Sequence, residues 1–209
     1  MSSPAPSQAA SAADLAGARL YLVTPARSDL RAFLAAAVAG GVDLVQIREK
    51  DAPDRELLAV LEVAREATRE LGVPLVVNDR PDLAAAIGAD FVHVGQDDLP
   101  VAVARRFGVA VGLSTHAPAE IDTADADYLG VGPVHATPTK AGRPAAGLGL
   151  VRYAAARACA PWFAIGGIDP TNVDAVVAAG ATRVAVVRAI VEAPDPEAAA
   201  RRLRAALPA

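Results

Sequence analysis

The chain is poor in sulfur chemistry. It has one cysteine, Cys159, in an alanine-rich stretch with no metal-ligand spacing, so an internal disulfide is excluded and a thiolate metal site has no support. That usage reads as a reduced, intracellular protein, and a cytoplasmic location is expected. No apolar run reaches the ~20 uninterrupted residues of a membrane span, because the many Ala, Val and Leu residues fall in short groups. Positive charge is not in excess either. Twenty Lys and Arg stand against 24 Asp and Glu, for a net charge of -4, which argues against a protein that tracks the phosphate backbone of nucleic acid. The opening MSSPAPSQAASAAD lacks the basic start and apolar stretch of a signal peptide, so residues 1–14 are expected to be a disordered tail. What is abundant is core material: 53% of the 209 residues are hydrophobic and 21% charged.

From residue 18 onward, short β-branched runs alternate with longer helical patterns. Strands are expected at 19–24, 42–47, 73–77, 91–94, 109–113, 128–131, 162–165 and 183–187. Helices are expected between them, at 30–39, 54–71, 101–107, 150–158 and 172–179, with a last one at 197–206. Continuous apolar strands separated by helices are what a parallel sheet covered on both faces requires. Gly40-Gly41, Gly72, Gly88 and Gly180 fall where helices should stop before the next strand. Eight strand–helix units in one α/β domain, residues 15–209, predict a (β/α)8 TIM barrel; an open doubly wound sheet is the alternative that periodicity cannot exclude.

Polar clusters follow the strand ends in turn: Gln46-Ile47-Arg48-Glu49-Lys50-Asp51, then Asn78-Asp79-Arg80, His93 to Asp98, Ser114-Thr115-His116, Thr137 to Lys140, Gly166-Gly167 and Val187-Arg188. In a closed barrel these rim one mouth, where such folds carry their chemistry. Gly166-Gly167 and the turn after strand eight suit a phosphate held by backbone N–H groups, although a glycine pair could equally serve a tight turn. Asp79 and Asp98 follow adjacent strands, so their carboxylates could converge on Mg2+; alternatively Asp98 caps the next helix and Asp79 pairs with Arg80. Arg48, Lys50 and Lys140 supply cations, and the polar stretch 136–149 is long enough to be a lid. Mg2+ with these three cations, less the two carboxylates, leaves a charge of about +3, which matches a bound diphosphate of roughly three negative charges.

Together the strings YLVT, QIREKD, VNDRPDLA, ADFVHVGQDDLP, GLSTH, DYLGVGPV…TPTK, AIGGI and VAVVRAI resemble the thiamine phosphate synthase (thiamine-phosphate pyrophosphorylase) family, in order and over nearly the whole chain. The resemblance implies a transferase that condenses 4-amino-5-hydroxymethyl-2-methylpyrimidine diphosphate with a thiazole phosphate, or its carboxylate form, giving thiamine phosphate and diphosphate. It implies that Gln46, Arg48, Lys50, Asn78, Ser114 and Lys140 hold the pyrimidine diphosphate, with Lys140, Ser114, Arg48 and Lys50 carrying the catalytic step. Asp79 and Asp98 would bind Mg2+, and Thr137, Thr139, Gly167, Val187 and Arg188 would surround the thiazole phosphate. Small-molecule substrates, with neither nucleic acid nor membrane as partner, complete the expectation.

The chain departs from the family pattern at His135-Ala136, where an aromatic residue and proline are frequent, and at Arg188, where serine is common. His93 and His116 are read as hydrogen-bonded packing histidines more readily than as substrate ligands, and Trp162 as core. A thiazole tautomerase and a catalytically dead phosphate-sensing module are the rival functions. The first has no use for two Mg2+ carboxylates, and the second should lack at least one of Asp79, Asp98 and Lys140.

Overall fold

The computed structural model describes residues 15–137 and 144–208. The tail at 1–14 and the expected site residues Thr139 and Lys140 lie outside the described residues.

Strands β1 (Leu20–Thr24), β2 (Leu44–Ile47), β3 (Leu75–Asn78), β4 (Phe91–Val94), β5 (Ala110–Thr115), β6 (Tyr128–Val131), β7 (Trp162–Ile165) and β8 (Val184–Val186) pair in sequence order, all parallel, and β8 returns to β1. The sheet is closed, which settles the choice between barrel and open sheet in favour of the (β/α)8 form. Helices α1 (Leu30–Ala39), α2 (Asp54–Leu71), α3 (Pro81–Ile87), α4 (Val101–Ala104), α5 (Pro118–Asp122), α6 (Gly147–Arg157), α7 (Val173–Ala178), α8 (Arg188–Val191) and α9 (Pro196–Ala206) connect the strands and close the chain.

Three of these, α3, α5 and α8, were not among the expected helices; each is too short to show an apolar period. Proline in the first turn of α3 and α5 was the available signal, since its missing N–H costs nothing there. The expected helix at 101–107 is α4 followed by a 3₁₀ turn, Arg105–Phe107. The expected lid at 136–149 is corrected at its end, because α6 begins at Gly147, and Ala146 and Gly147 donate to the carbonyls of Pro133 and Val134 at 2.7 and 3.2 Å. The segment thus returns to the place where it left the barrel.

Alternation along the strands builds two cores. Leu20, Leu22, Val45, Ile47, Leu75, Val77, Val92, Val94, Val111, Val184 and Val186 pack outward under the surrounding helices. The intervening residues Tyr21, Val23, Leu44, Val76, Phe91, Ala110, Tyr128, Phe163 and Ala185 fill the barrel, with Leu15 and Ala18 joining them from the preceding segment. Of eight aromatic residues in the chain, four meet inside the barrel. Tyr21 and Tyr128 lie edge to face with ring centroids 6.0 Å apart, and Phe163 stands 5.2 Å from Tyr21 and 5.9 Å from Tyr128.

The opposite end is stapled by a repeated device. Asp43, Asp90 and Asp127 each precede an even-numbered strand and accept the backbone N–H of Leu20, Leu75 and Val111 on the preceding odd strand, at 3.0, 2.8 and 2.8 Å. A carboxylate that accepts a backbone N–H makes a charge-assisted bond, stronger than a neutral one. Arg65 also pairs with Asp90 at 2.7 Å. Among the described residues no helix is long and apolar enough to cross a membrane.

Candidate active site

Four strands change character toward the mouth. Leu44, Val76 and Phe91 are apolar, whereas the next inward residues on β2 to β4 are Gln46, Asn78 and His93, and on β5 Ala110 gives way through Gly112 to Ser114. The corresponding residues, Gly130 on β6, Ile165 on β7 and Val187 just after β8, stay without polar side chains. The mouth therefore has a polar half and an apolar half. Both halves line one cavity of about 300 Å3, which also reaches Arg48, Lys50, Asp79, Asp98, Thr137, Gly166, Gly167 and Arg188. Every expected site residue that the structure describes is on its wall. Asn78 and Ser114, expected just after strands, are in fact within β3 and β5, which is why both are held inward.

At the polar half, Asp79 has φ 59°, the one positive value outside glycine among the described residues. Aspartate tolerates this left-handed geometry because its short side chain bonds locally. Here the Asp79 amide donates to the His93 carbonyl at 2.9 Å, and its Oδ2 accepts from Asn78 Nδ2 at 2.7 Å and pairs with Lys50 Nζ at 3.2 Å. Burial pushes the Asp79 carboxyl above its ordinary value, hydrogen bonding and repulsion from Asp98 push it the same way, and Lys50 opposes them. Two carboxylates therefore converge, as the sequence suggested.

Neither ordinary alternative for them holds. Helix α4 has Pro100 at its N-cap with no side-chain cap, and Asp98 instead folds back to accept the Gly95 amide at 2.7 Å. A Cβ on Gly95 would stand 2.8 Å from that carboxylate, so glycine is what admits it. Arg80 turns to Asp54 and Asp82, both at 2.6 Å, not to Asp79.

At the apolar half, Gly166 and Gly167 have φ 109° and 62°, and a Cβ on Gly166 would lie 2.5 Å from Pro133. The turn is therefore reserved for glycine on two counts, conformation and space. Asn172 Nδ2 donates to the Gly167 carbonyl at 2.8 Å and steadies it. The next strand leads into Val187 and the short helix α8, the arrangement with which barrels of this kind bind phosphate. Arg188 is exposed on the cavity wall.

Both histidines are hydrogen-bonded, His93 to Tyr128 and Ser114, His116 to the Gly132 carbonyl, and both also line the cavity. Trp162 is partly buried against the core, as expected. Cys159 is exposed. The residues missed at the sequence level are Tyr21, on the cavity wall, and Tyr128, buried beneath it; their signal was the inward period of β1 and β6, which hydrophobic runs alone conceal.

The chain as a whole has counterparts among known proteins. Residues 20–190 match the family model described as thiamine monophosphate synthase. The chain belongs to that family. A thiamine-phosphate synthase of Mycobacterium sp. (strain JLS) is 53% identical over 92% of this chain and 94% of its own length. One from Thermobifida fusca is 54% identical over 91% and 92%. A solved thiamine phosphate pyrophosphorylase from Pyrococcus furiosus superposes with a TM-score of 0.80 at 32% identity, covering 90% of this chain and 94% of that one. As a thiamine monophosphate synthase family member, the chain is a transferase of thiamine biosynthesis. His135, one of its departures, has its Nε2 buried with no hydrogen-bond partner among the described residues.

Proposed function

We propose that the enzyme joins 4-amino-5-hydroxymethyl-2-methylpyrimidine diphosphate to the nitrogen of a thiazole phosphate, 4-methyl-5-(2-phosphoethyl)thiazole or its carboxylate form, and releases diphosphate. One observation carries this reading above the others: a single cavity is cationic and acidic where β2 to β4 end, and apolar with a glycine turn where β7 and β8 end, on the far side of the ring. That division suits two substrates, one ending in a diphosphate and one in a single phosphate.

Arg48, Lys50, Asn78 and Lys140 bind and orient the diphosphate, and the cations stabilise it as it departs. Gln46 and Ser114 hold the pyrimidine heteroatoms without adding charge. Gly167, Val187 and Arg188 hold the thiazole phosphate through backbone N–H groups, with Thr137 and Thr139 beside it. Breaking the C–O bond leaves positive charge on a methylene that the aminopyrimidine can delocalise, and the thiazole nitrogen then forms the C–N bond. No side-chain nucleophile is needed.

Asp79 and Asp98 are the residues that would hold Mg2+. The donor set fits: two hard carboxylate oxygens share a site in which the Asp79 carboxyl is pushed up by burial and by its neighbour, the condition a divalent cation relieves. Among the described residues no group of three or more His, Cys, Asp or Glu could hold a metal unaided, which suits an ion that completes its shell with substrate phosphate oxygens and water. When bound, Mg2+ neutralises charge on the diphosphate.

The test is incubation with both substrates, with and without Mg2+, while diphosphate release is followed. Release that requires both substrates and Mg2+ is expected. Release unaffected by omitting the thiazole phosphate, or by chelating the metal, would overturn the proposal.

A further inference from the structure

At the cavity floor a line of hydrogen-bonded polar groups crosses the barrel from β2 to β5. Gln46 Nε2 donates to Tyr21 Oη, Tyr21 Oη and Tyr128 Oη are 3.0 Å apart, Tyr128 Oη is 3.0 Å from His93 Nδ1, and His93 Nε2 is 2.9 Å from Ser114 Oγ. Gln46, Tyr21, His93 and Ser114 line the cavity, while Tyr128, the middle link, is fully buried. The space for this line is built into the strands. A Cβ on Gly112 would stand 2.1 Å from the Tyr128 ring, and one on Gly130 would stand 3.2 Å from the His93 ring.

Proton counting gives the line a direction. With the Gln46 amide nitrogen on Tyr21, the Tyr21 hydroxyl already accepts, so its own proton has Tyr128 as acceptor. If Tyr128 donated to Tyr21 instead, the Tyr21 proton would be left without an acceptor in the interior, an arrangement that costs about 1–3 kcal/mol. Tyr128 therefore donates to His93 Nδ1, which puts the imidazole proton on Nε2 and makes His93 the donor to Ser114. Burial pushes both phenols well above their ordinary values, so each keeps its proton.

We propose that Tyr21, Tyr128 and His93 are positioning residues: their one-way chain holds Gln46 with its carbonyl oxygen as acceptor and Ser114 as donor, so that the two read an amine and an adjacent ring nitrogen as a matched pair. A 4-aminopyrimidine carries that pattern, and a 4-oxopyrimidine, with an N–H beside a carbonyl, carries the reverse. The proposal rests on the assignment of the pyrimidine to Gln46 and Ser114 made above. Specificity for the amine then depends on Tyr128, which is off the cavity wall, because a donor cannot become an acceptor at one end without reversing every bond to the other.

The experiment compares kcat/KM for the 4-amino pyrimidine diphosphate and its 4-oxo analogue in the wild type, Tyr128→Phe and Gln46→Ala. Phenylalanine keeps the ring packing and removes only the hydroxyl, the group that bonds His93 Nδ1. The amino/oxo preference is expected to fall about tenfold in Tyr128→Phe, the worth of roughly one hydrogen bond, with KM for the thiazole phosphate unchanged. Tyr21→Phe cuts the chain one link earlier, is expected to lower the preference likewise, and carries the test should Tyr128→Phe fail to fold. A wild-type preference retained in the Phe variant, together with a raised pyrimidine KM in Gln46→Ala, would overturn the chain alone. An unchanged pyrimidine KM in Gln46→Ala would overturn the underlying assignment as well.

Discussion

Replacing Asp79 separates its two duties, because one is conformational and the other electrostatic. At φ 59° the backbone sits where Asn and Asp are tolerated and most other residues pay roughly 1–2 kcal/mol. Asp79→Ala should therefore be about 1 kcal/mol or more less stable than Asp79→Asn, a gap of about 2–4 °C in Tm for a domain of this size. Asp79→Asn keeps the left-handed tolerance and removes a carboxylate whose charged form the folded site disfavours on balance.

The sign follows from the direction of the shift. A carboxyl with a raised folded value is neutral in both states below its ordinary value near 3.8, so no difference is expected there. As pH rises above that value the unfolded carboxyl ionises first, and the metal-free wild type loses stability that the Asn variant retains. Metal-free Asp79→Asn should thus match or exceed the wild-type Tm at neutral pH. Both variants should lose turnover by about 10²-fold or more and lose the rise in Tm caused by Mg2+ with diphosphate. Calorimetry and a diphosphate-release assay on the three proteins suffice. An Asn variant as unstable as the Ala variant would refute the backbone argument; one that keeps Mg2+-dependent turnover within a few-fold would refute the ligand role.

Further expectations concern separate parts of the barrel. Asp98→Ala should weaken the Mg2+ dependence and cut turnover, and an unchanged metal titration would remove Asp98 from the ligand set. Asp90→Ala should destabilise the fold by about 1–3 kcal/mol in chemical denaturation, since the Leu75 amide and Arg65 lose their partner, yet leave both KM values unchanged. Arg188→Ser should keep turnover within a few-fold if backbone N–H groups hold the thiazole phosphate, and a large loss would assign that duty to the side chain. Gly112→Ala forces a methyl group into the Tyr128 ring and should cost about 1–3 kcal/mol while raising KM for the pyrimidine substrate; a silent substitution would mean that Tyr128 can move without consequence.

Much of this molecule was legible in its residue order. The eight apolar runs, the glycines at the ends of α2 and α3, and the polar clusters behind each strand are local features, set by burial on two faces and by left-handed helix ends at Gly72 and Gly88. They specify strand–helix alternation and the side of the barrel that carries chemistry. Boundaries were less legible: Asn78 and Ser114 read as loop residues because a polar side chain ends an apolar run, although the ladder continues through them.

Closure, by contrast, is a pairing of β8 with β1 across more than 160 residues, and no local period encodes it. Asp79 and Asp98 meet, while Arg80 turns away, because the backbone at Asp79 is left-handed, a property fixed by its neighbours in space. Tyr21 and Tyr128 lie 107 residues apart and looked like ordinary core positions. Local order decides which residues face inward; only the closed ring decides which inward residues touch, since that depends on the register of strands far apart in the chain.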